Sequence, residues 1–402
     1  MRITELKVEG YRSLRNVTWR PGNLNVLIGP NGGGKSNLLR LLQLLSATAS
    51  GRLARHVQNE GGMVPVLWDG KGMNKRVSIW LQGGQPANKD NPEFKYEFTF
   101  EQIAGSGGYS VHTEDLEVRP FGKAESSTGM KRVLARHFRA AKVLDPERDA
   151  LVEIPGEEVP ETESLLAGIA GPLSRAPSAR PFQTDVAGWG VYPEFDTGRE
   201  APARRGIVSR AERQLEPDAS NIVSVLHTLY EGSRDFKTDI DEAMSAAFRG
   251  EFEELLFPPE ASQRIELRLR WKSLSRTPSA ADLSDGTLRF LRLLTVLAHP
   301  EPPSLIAIDE PETGLHPAMQ KIVADFAVQA SRRSQVILTT HSPEFLDAFS
   351  ETLPTITVVE SHEGQTTLKN LSGDALRQWL KSFTLGEILR TGAAGTIEEE
   401  KA

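Results

Sequence analysis

The spacing of apolar residues changes several times along the chain, and each change marks an element. Residues 2–9 alternate charged and apolar side chains as a strand does, and residues 23–28 (NLNVLI) form a mostly apolar run suited to a sheet covered on both faces. A glycine-rich turn follows. From Lys35 onward, leucines at 38, 39, 41, 42, 44 and 45 give a broad helical face, with Gly51 shortly beyond its expected end. Two-residue alternation then takes over in VSIWLQ (77–82), KYEFTFE (95–101) and YSVHTEDLEV (109–118), which predicts an antiparallel sheet. Residues 144–181, rich in proline and acids, predict a surface excursion. Helical spacing resumes over 221–230 and 236–248, and RIELRLRW (264–271) alternates as a strand. The last third repeats the two kinds of element: helix 285–298, strand 304–308, helix 318–333, strand 335–340. The sum is α/β organisation with a long insertion. No repeat of solenoid period and no sustained heptad run is present.

At 402 residues, 39% apolar and 25% charged, the chain can bury a sizeable core. Its formal charge of −7 gives no whole-chain sign of a nucleic-acid binder, but the average hides an asymmetry. Residues 1–76 carry twelve Lys/Arg against four Asp/Glu, a net of +8, which leaves −15 for the remainder. Cysteine is absent, so disulfides and thiolate chemistry are excluded. The N-terminus lacks the apolar core of a signal peptide, and the most apolar stretch, Leu38 to Ala49, is too short to span a bilayer. A cytoplasmic protein with no membrane association is expected.

Chemistry concentrates at four places. Gly29-Pro-Asn-Gly-Gly-Gly-Lys35-Ser36 fits G-x-x-x-x-G-K-[ST] between an apolar strand and a helix, the context in which backbone N–H groups close on phosphate oxygens. Asn31, Gly32, Gly33, Gly34, Lys35, Ser36 and Asn37 are the expected nucleotide-binding residues. Lys35 would neutralise the β and γ phosphates of ATP, and the Ser36 hydroxyl would reach Mg²⁺. The plain alternative is an ordinary glycine turn. The strand SLIAI ends in Asp309-Glu310, where Asp309 would hold the Mg²⁺ shell and Glu310 would orient or deprotonate the attacking water. Alternatively these acids only cap the next helix. LSDGTL (283–288) opens a helix at Ser284, either as a simple N-cap or as a second phosphate cradle in which Ser284 and Gly286 address ATP held by another subunit. His341 follows the apolar strand QVILTT and is positioned to donate to the γ phosphate, whereas His316 in GLHP reads equally well as a turn residue.

Taken in order, GPNGGGKS, LSDGTL, LIAIDEPETGLHP and TTHSPEFL resemble the RecF, SMC and OLD branch of ABC ATPases. GYRSL (10–14) resembles the family's opening strand and turn, and LGEIL (385–389) the closing segment of its stand-alone predicted ATPases. The resemblance implies an α/β fold, an ABC-type P-loop NTPase head with an antiparallel β lobe and a helical insertion. Its segments would be 1–60 with the P-loop, 61–120 as the β lobe, 121–280 as a mostly helical insertion, and 281–402 with the signature, Walker B and histidine motifs. It further implies that Tyr11, Arg12 and Ser13 lie near the nucleotide, with Arg12 among the binding residues, and that ATP and Mg²⁺ are the cofactors. Departures matter too. Asp285 stands where transporter ATPases have glycine, no coiled coil separates the halves, and no nuclease domain of the OLD kind is expected after LGEIL. The family's Mg²⁺-sensing glutamine has four candidates: Gln82, Gln85, Gln102 and Gln183. The implied function is an ATP-hydrolysing switch that forms a homodimer on binding ATP, in DNA metabolism, repair or anti-phage defence, with DNA or RNA held by the basic N-terminal segment. The alternative is a nucleotide-sensing scaffold that restrains a separately encoded effector such as a nuclease. A transporter motor fits poorly with the alternating sheet and the large insertion.

Overall fold

The computed structural model describes residues 1–68, 70, 75–84, 94–105, 107–119, 129–169, 176–193, 195–260, 264–349, 352–371, 384 and 386–387. Two large sheets organise them. The six-stranded sheet runs in the order β10 (Gly190–Tyr192), β16 (Leu305–Ile308), β17 (Gln335–Thr340), β3 (Leu24–Ile28), β18 (Thr355–His362), β19 (Gln365–Leu371). All neighbours are parallel except the final β18–β19 hairpin, which turns at Glu363 and Gly364 with positive φ, as a two-residue hairpin loop demands. Because β3, β16 and β17 are parallel, the glycine loop, the Asp309-Glu310 pair and His341 all leave the sheet at one edge.

The eight-stranded antiparallel sheet takes β1 (Ile3–Tyr11), β2 (Leu14–Trp19), β4 (Arg76–Gly83), β5 (Phe94–Gln102), β6 (Tyr109–Val118), β7 (Lys131–His137), β8 (Ala140–Asp145) and β9 (Ala150–Ile154), in the order β2-β1-β4-β5-β6-β7-β8-β9. Helix α1 (Lys35–Ala49) buries its leucines with the apolar face of this sheet in one core, which also receives Leu27, Leu305, Ala307 and Ile337. The alternate residues of the same short strands, Val26, Ile28, Ile306, Ile308, Val336 and Leu338, face a second core. That core holds residues of α5 (Ile222–Gly232), α6 (Arg234–Ala247), α7 (Asp285–Leu297), α8 (Pro317–Ala330) and α9 (Pro343–Asp347). Being buried on both faces explains why β3, β16 and β17 read as continuous apolar runs.

The segment 121–280, expected to be mostly helical, is mixed instead. Its first part supplies β7, β8 and β9 to the antiparallel sheet, where Val133, Leu134, Ala141, Val143 and Ile154 join the core of that lobe. Helices α2 (Leu53–Asn59), α3 (Leu165–Ile169) and α4 (Arg180–Ala187) are short. RIELRLRW does not form one strand: β14 (Arg264–Ile265) pairs with β11 (Ile207–Val208) and β13 (Pro259–Glu260), while β15 (Arg268–Trp271) pairs with β12 (Phe252–Leu256). Among the described residues, no helix is long and apolar enough to cross a membrane. Most of LGEIL lies outside the described residues; of its described residues, the Gly386 N–H donates to Asp347.

One buried polar network ties the β lobe to its helices. Glu114 on β6, fully buried, accepts from Tyr96 Oη at 3.0 Å, Ser164 Oγ at 2.6 Å and the Leu165 and Leu166 N–H groups that start α3. Arg136, beside it at 3.9 Å, donates to the carbonyls of Phe138 and Glu163. The Glu163 carboxylate then caps α2 through the N–H groups of Leu53 and Ala54. Glu114→Ala would leave a buried guanidinium without its counter-charge and α3 without its cap. It is expected to cost about 3–5 kcal/mol in urea unfolding; a loss below about 1 kcal/mol would mean that the network contributes little.

Candidate functional site

The glycine loop is shaped by how closely other main chain passes it. Gly29 has φ +148°, and a Cβ there would stand 2.0 Å from the Val359 carbonyl of β18; at Gly33 the same carbonyl would be 2.8 Å away. Gly34 has φ +108°, and its Cβ would meet Thr366 Oγ1 at 2.0 Å. Only glycine fits these places. The far side of the loop is open, since nothing lies within 4 Å of the Cβ position at Gly32. A hydrogen-bonded chain braces the inner side: Asn37 Nδ2 donates to Ser13 Oγ (2.7 Å), Ser13 Oγ lies 2.7 Å from Thr366 Oγ1, and Thr366 Oγ1 donates to the Gly33 carbonyl (2.9 Å).

Lys35 opens α1 with its ammonium on the carbonyls of Gly29 (2.6 Å) and Pro30 (3.1 Å), and the residue is 5% exposed. Burial lowers its pKa, and the charges of Glu310, Asp309 and Glu312 oppose that shift. These acids come from the end of β16 and the turn after it. Thr339 on β17 donates to Asp309 Oδ1 and accepts from the Glu310 N–H at 2.9 Å. Glu310 sits at φ +43°, a conformation that a non-glycine residue keeps only where its surroundings enforce it. Its Oε1 is 3.2 Å from His341 Nδ1, and the His341 side chain is 48% exposed. The fold therefore brings Lys35, Asp309, Glu310 and His341 to one place. Asn31, Gly32 and Ser36 are exposed along the loop's outer surface.

Arg12, φ +48°, follows β1 at the turn that also carries Ser13. Its guanidinium is ion-paired with Glu60, so what it offers this site is the adjacent Ser13 brace. Ser284 and Gly286 lie elsewhere: Ser284 caps α7 through the Thr287 N–H at 3.2 Å, and Gly286 packs against the Gly314 carbonyl, 2.8 Å from where its Cβ would be. Among the described residues, no hydrogen bond joins them to the glycine loop of the same chain. Asp285, the departure from the transporter pattern, has a structural partner in Arg204, which ion-pairs with it and donates to the carbonyls of Thr197, Ala280 and Leu283. His316 caps α8 through the Ala318 N–H, which is the turn role. Gln183 donates to Ala49 at the far end of α1, Gln82 and Gln102 lie in the antiparallel sheet, and Gln85 lies outside the described residues. Thr339, Thr340, Glu312 and Thr366 are site neighbours that sequence reasoning passed over. The paired Thr-Thr before His341 was the available signal for the first two.

A parallel sheet whose glycine loop, acid pair and histidine share one edge, with an antiparallel lobe packed over α1, defines an ABC-type ATPase head of the RecF and SMC kind. The chain belongs to the family described as "AAA domain, putative AbiEii toxin, Type IV TA system", whose model matches residues 24–347. It is 29% identical over 195 residues to the DNA replication and repair protein RecF of Anaeromyxobacter sp. (strain Fw109-5), a match covering 44% of this chain and 49% of that protein. It is 36% identical over 122 residues to the chromosome partition protein Smc of Methylococcus capsulatus, covering 30% of this chain and 9% of that protein. The chain thus spans about half of the first relative's length and a small part of the second's. Among solved structures, the Smc head bound to the C-terminal winged-helix domain of ScpA superposes with a TM-score of 0.58 at 14% identity, covering 94% of this chain and all of that one. A Pyrococcus furiosus Smc head with an extended coiled coil, bound to the C-terminal domain of ScpA, gives 0.52 at 13% identity, covering 94% and 98%. Both likenesses concern the fold.

Gly34→Ala tests the loop directly. Strain at φ +108° and the contact with Thr366 are expected to lower MgATP affinity by at least about tenfold in calorimetry; wild-type affinity would show that phosphate binding does not need this geometry.

Proposed function

We propose that the chain is a MgATP-hydrolysing switch whose site is completed by a second copy. The observation that carries this is the division of the candidate residues: Lys35, Asp309, Glu310 and His341 converge on the glycine loop, while Ser284 and Gly286, at the start of α7 with Gly286 against Gly314, make no hydrogen bond to that loop among the described residues. In this reading the loop N–H groups from Asn31 to Asn37 and the Lys35 ammonium receive the phosphates, and Ser36 and Asp309 would hold Mg²⁺. The open side of Gly32 and the acids facing Lys35 suit such a ligand. The metal would neutralise charge between the β and γ phosphates. Glu310 orients the attacking water and takes its proton, and His341, held by Glu310, donates to the γ phosphate. The helix start at Ser284 and Gly286 of the second copy supplies further donors to the same phosphate.

The likeness to a DNA replication and repair protein and to a chromosome partition protein supports a DNA-related role for the switch. Several residues of the basic N-terminal segment are already neutralised within the fold, since Lys7, Arg12, Arg20 and Arg76 pair with Glu5, Glu60 and Glu101. Among the described residues, exposed Arg40 on α1, Arg52 just before α2 and Arg55 on α2 are three of the cations that no acid neutralises and that can meet phosphate backbone, alongside Arg15 and Lys75. Nucleic-acid affinity should fall steeply with salt, and replacing these three by glutamine should reduce the slope of log K against log salt by about 2–3. Absence of binding at low salt, with turnover indifferent to DNA, would favour the scaffold that holds a separately encoded effector.

The shared site has its own test. Glu310→Gln should keep MgATP bound but stop hydrolysis, so light scattering should show monomer passing to dimer when ATP is added. Lys35→Ala and Ser284→Arg should each be inactive alone. Mixed together they form a heterodimer with one intact composite site, and part of the activity should return. A Glu310→Gln chain that stays monomeric at saturating MgATP, with a mixture as inactive as its parts, would defeat the shared-site reading.

A further inference from the structure

Two consecutive threonines close β17, and their side chains leave opposite faces of the strand. Each takes a different acid from the segment after β16. Thr339 holds Asp309 and the Glu310 N–H, as described above. Thr340 Oγ1 donates to Glu312 Oε1 at 2.5 Å and accepts from the Ser342 N–H at 2.9 Å. One hydroxyl thus joins the acid segment to the turn that carries His341.

Glu312 is an unusual side chain to find there. It is 6% exposed, and its second oxygen, Oε2, is buried without a hydrogen-bond partner among the described residues. Burial raises its pKa, while the Thr340 hydrogen bond and the nearby His341 pull it down. Its charge also acts on Lys35 across the site. Space-filling alone would be served by an apolar residue without the cost of desolvating a carboxylate. What Glu312 supplies that an apolar residue cannot is the fixed link to Thr340.

We propose that Glu312 is a positioning residue for hydrolysis: through Thr340 it keeps the His341 turn in register with Glu310, preserving the 3.2 Å approach of the two groups that face the reacting phosphate. This inference rests on the ATPase reading above. It separates two functions of the threonine pair. Thr339 holds Asp309, the acid that would carry the metal, and Thr340 with Glu312 serves turnover. Removing the Glu312–Thr340 link should slow the chemical step and leave ground-state binding of MgATP in place.

The test compares the wild-type chain with Thr340→Val, Thr340→Ser, Glu312→Ala and the Glu312→Ala/Thr340→Val double variant. Steady-state hydrolysis and MgATP calorimetry are measured on each, with thermal melts to establish folding. Thr340→Val and Glu312→Ala are expected to lower kcat about tenfold or more while the dissociation constant changes less than about threefold. Thr340→Ser keeps the hydroxyl and should restore wild-type kcat, and the double variant should be no slower than the slower single one. Wild-type turnover by Thr340→Val, a parallel loss of affinity and kcat, or a Thr340→Ser as slow as Thr340→Val would overturn the proposal. Should Glu312→Ala not fold, the valine and serine pair at position 340 decides alone. A wild-type chain that binds MgATP yet hydrolyses none removes the ATPase reading and this inference with it; an active wild type with unchanged variants removes only the inference.

Discussion

Main chain passing against main chain, at a separation that admits a hydrogen and no methyl, is the constraint on which the site depends. The loop after β3 lies against the Val359 carbonyl at two glycines and against Thr366 at a third. The β18–β19 hairpin is therefore a wall of the site, although it carries none of the motif residues. Because β18 also pairs with β3 through four registered residues, strand and loop are fixed by the same neighbour. Ser13, on the turn between β1 and β2, closes the brace from the other side. Distant parts of the chain thus set the curvature of six consecutive residues, and a cradle of N–H groups works only if that curvature is set beforehand.

Within that frame the electrostatics are lopsided. One buried ammonium faces three carboxylates, and its own hydrogen bonds go to carbonyl oxygens of the loop. Desolvation works against its charge while the acids work for it. A polyanionic ligand with a divalent cation would balance this set better than the protein does alone: the phosphates meet Lys35 and the metal meets the acids. The positive φ of Glu310 belongs to the same picture, since the Thr339 hydroxyl holds the Glu310 N–H and fixes where that carboxylate points.

Much of this was legible in the chain. The apolar runs of β3, β16 and β17 predicted strands buried on both faces, and β4, β5 and β6 fall within a residue or so of their alternating stretches. Helices α7 and α8 start at the capping residues Ser284 and His316. The third quarter was harder because its strands are two to five residues long, below the length at which alternation separates from chance, and RIELRLRW shows one period while serving two sheets. In β7 the charges at 131, 132 and 136 and the burial of the adjacent Val133 and Leu134 leave no clear alternation to read, and Arg136 is itself buried. At the site, motif spacing located the groups that meet phosphate. It could not locate Thr366 or Glu312, whose places depend on tertiary neighbours rather than on local pattern.

The order of strands also bears on how the molecule is made. β3 is synthesised well before its two neighbours in the sheet, β17 and β18, which lie more than 300 residues further along the chain. At about 5–20 residues per second, roughly tens of seconds pass before either edge of β3 can pair. During that interval α1 presents its leucines and the N-terminal hairpin can close over them, but a bare strand, apolar except for Asn25, waits beside the nascent chain. Pairing across such sequence separation is slow for entropic reasons, and an unpaired edge invites association with other chains. The glycine loop therefore acquires its shape late, when the C-terminal hairpin arrives.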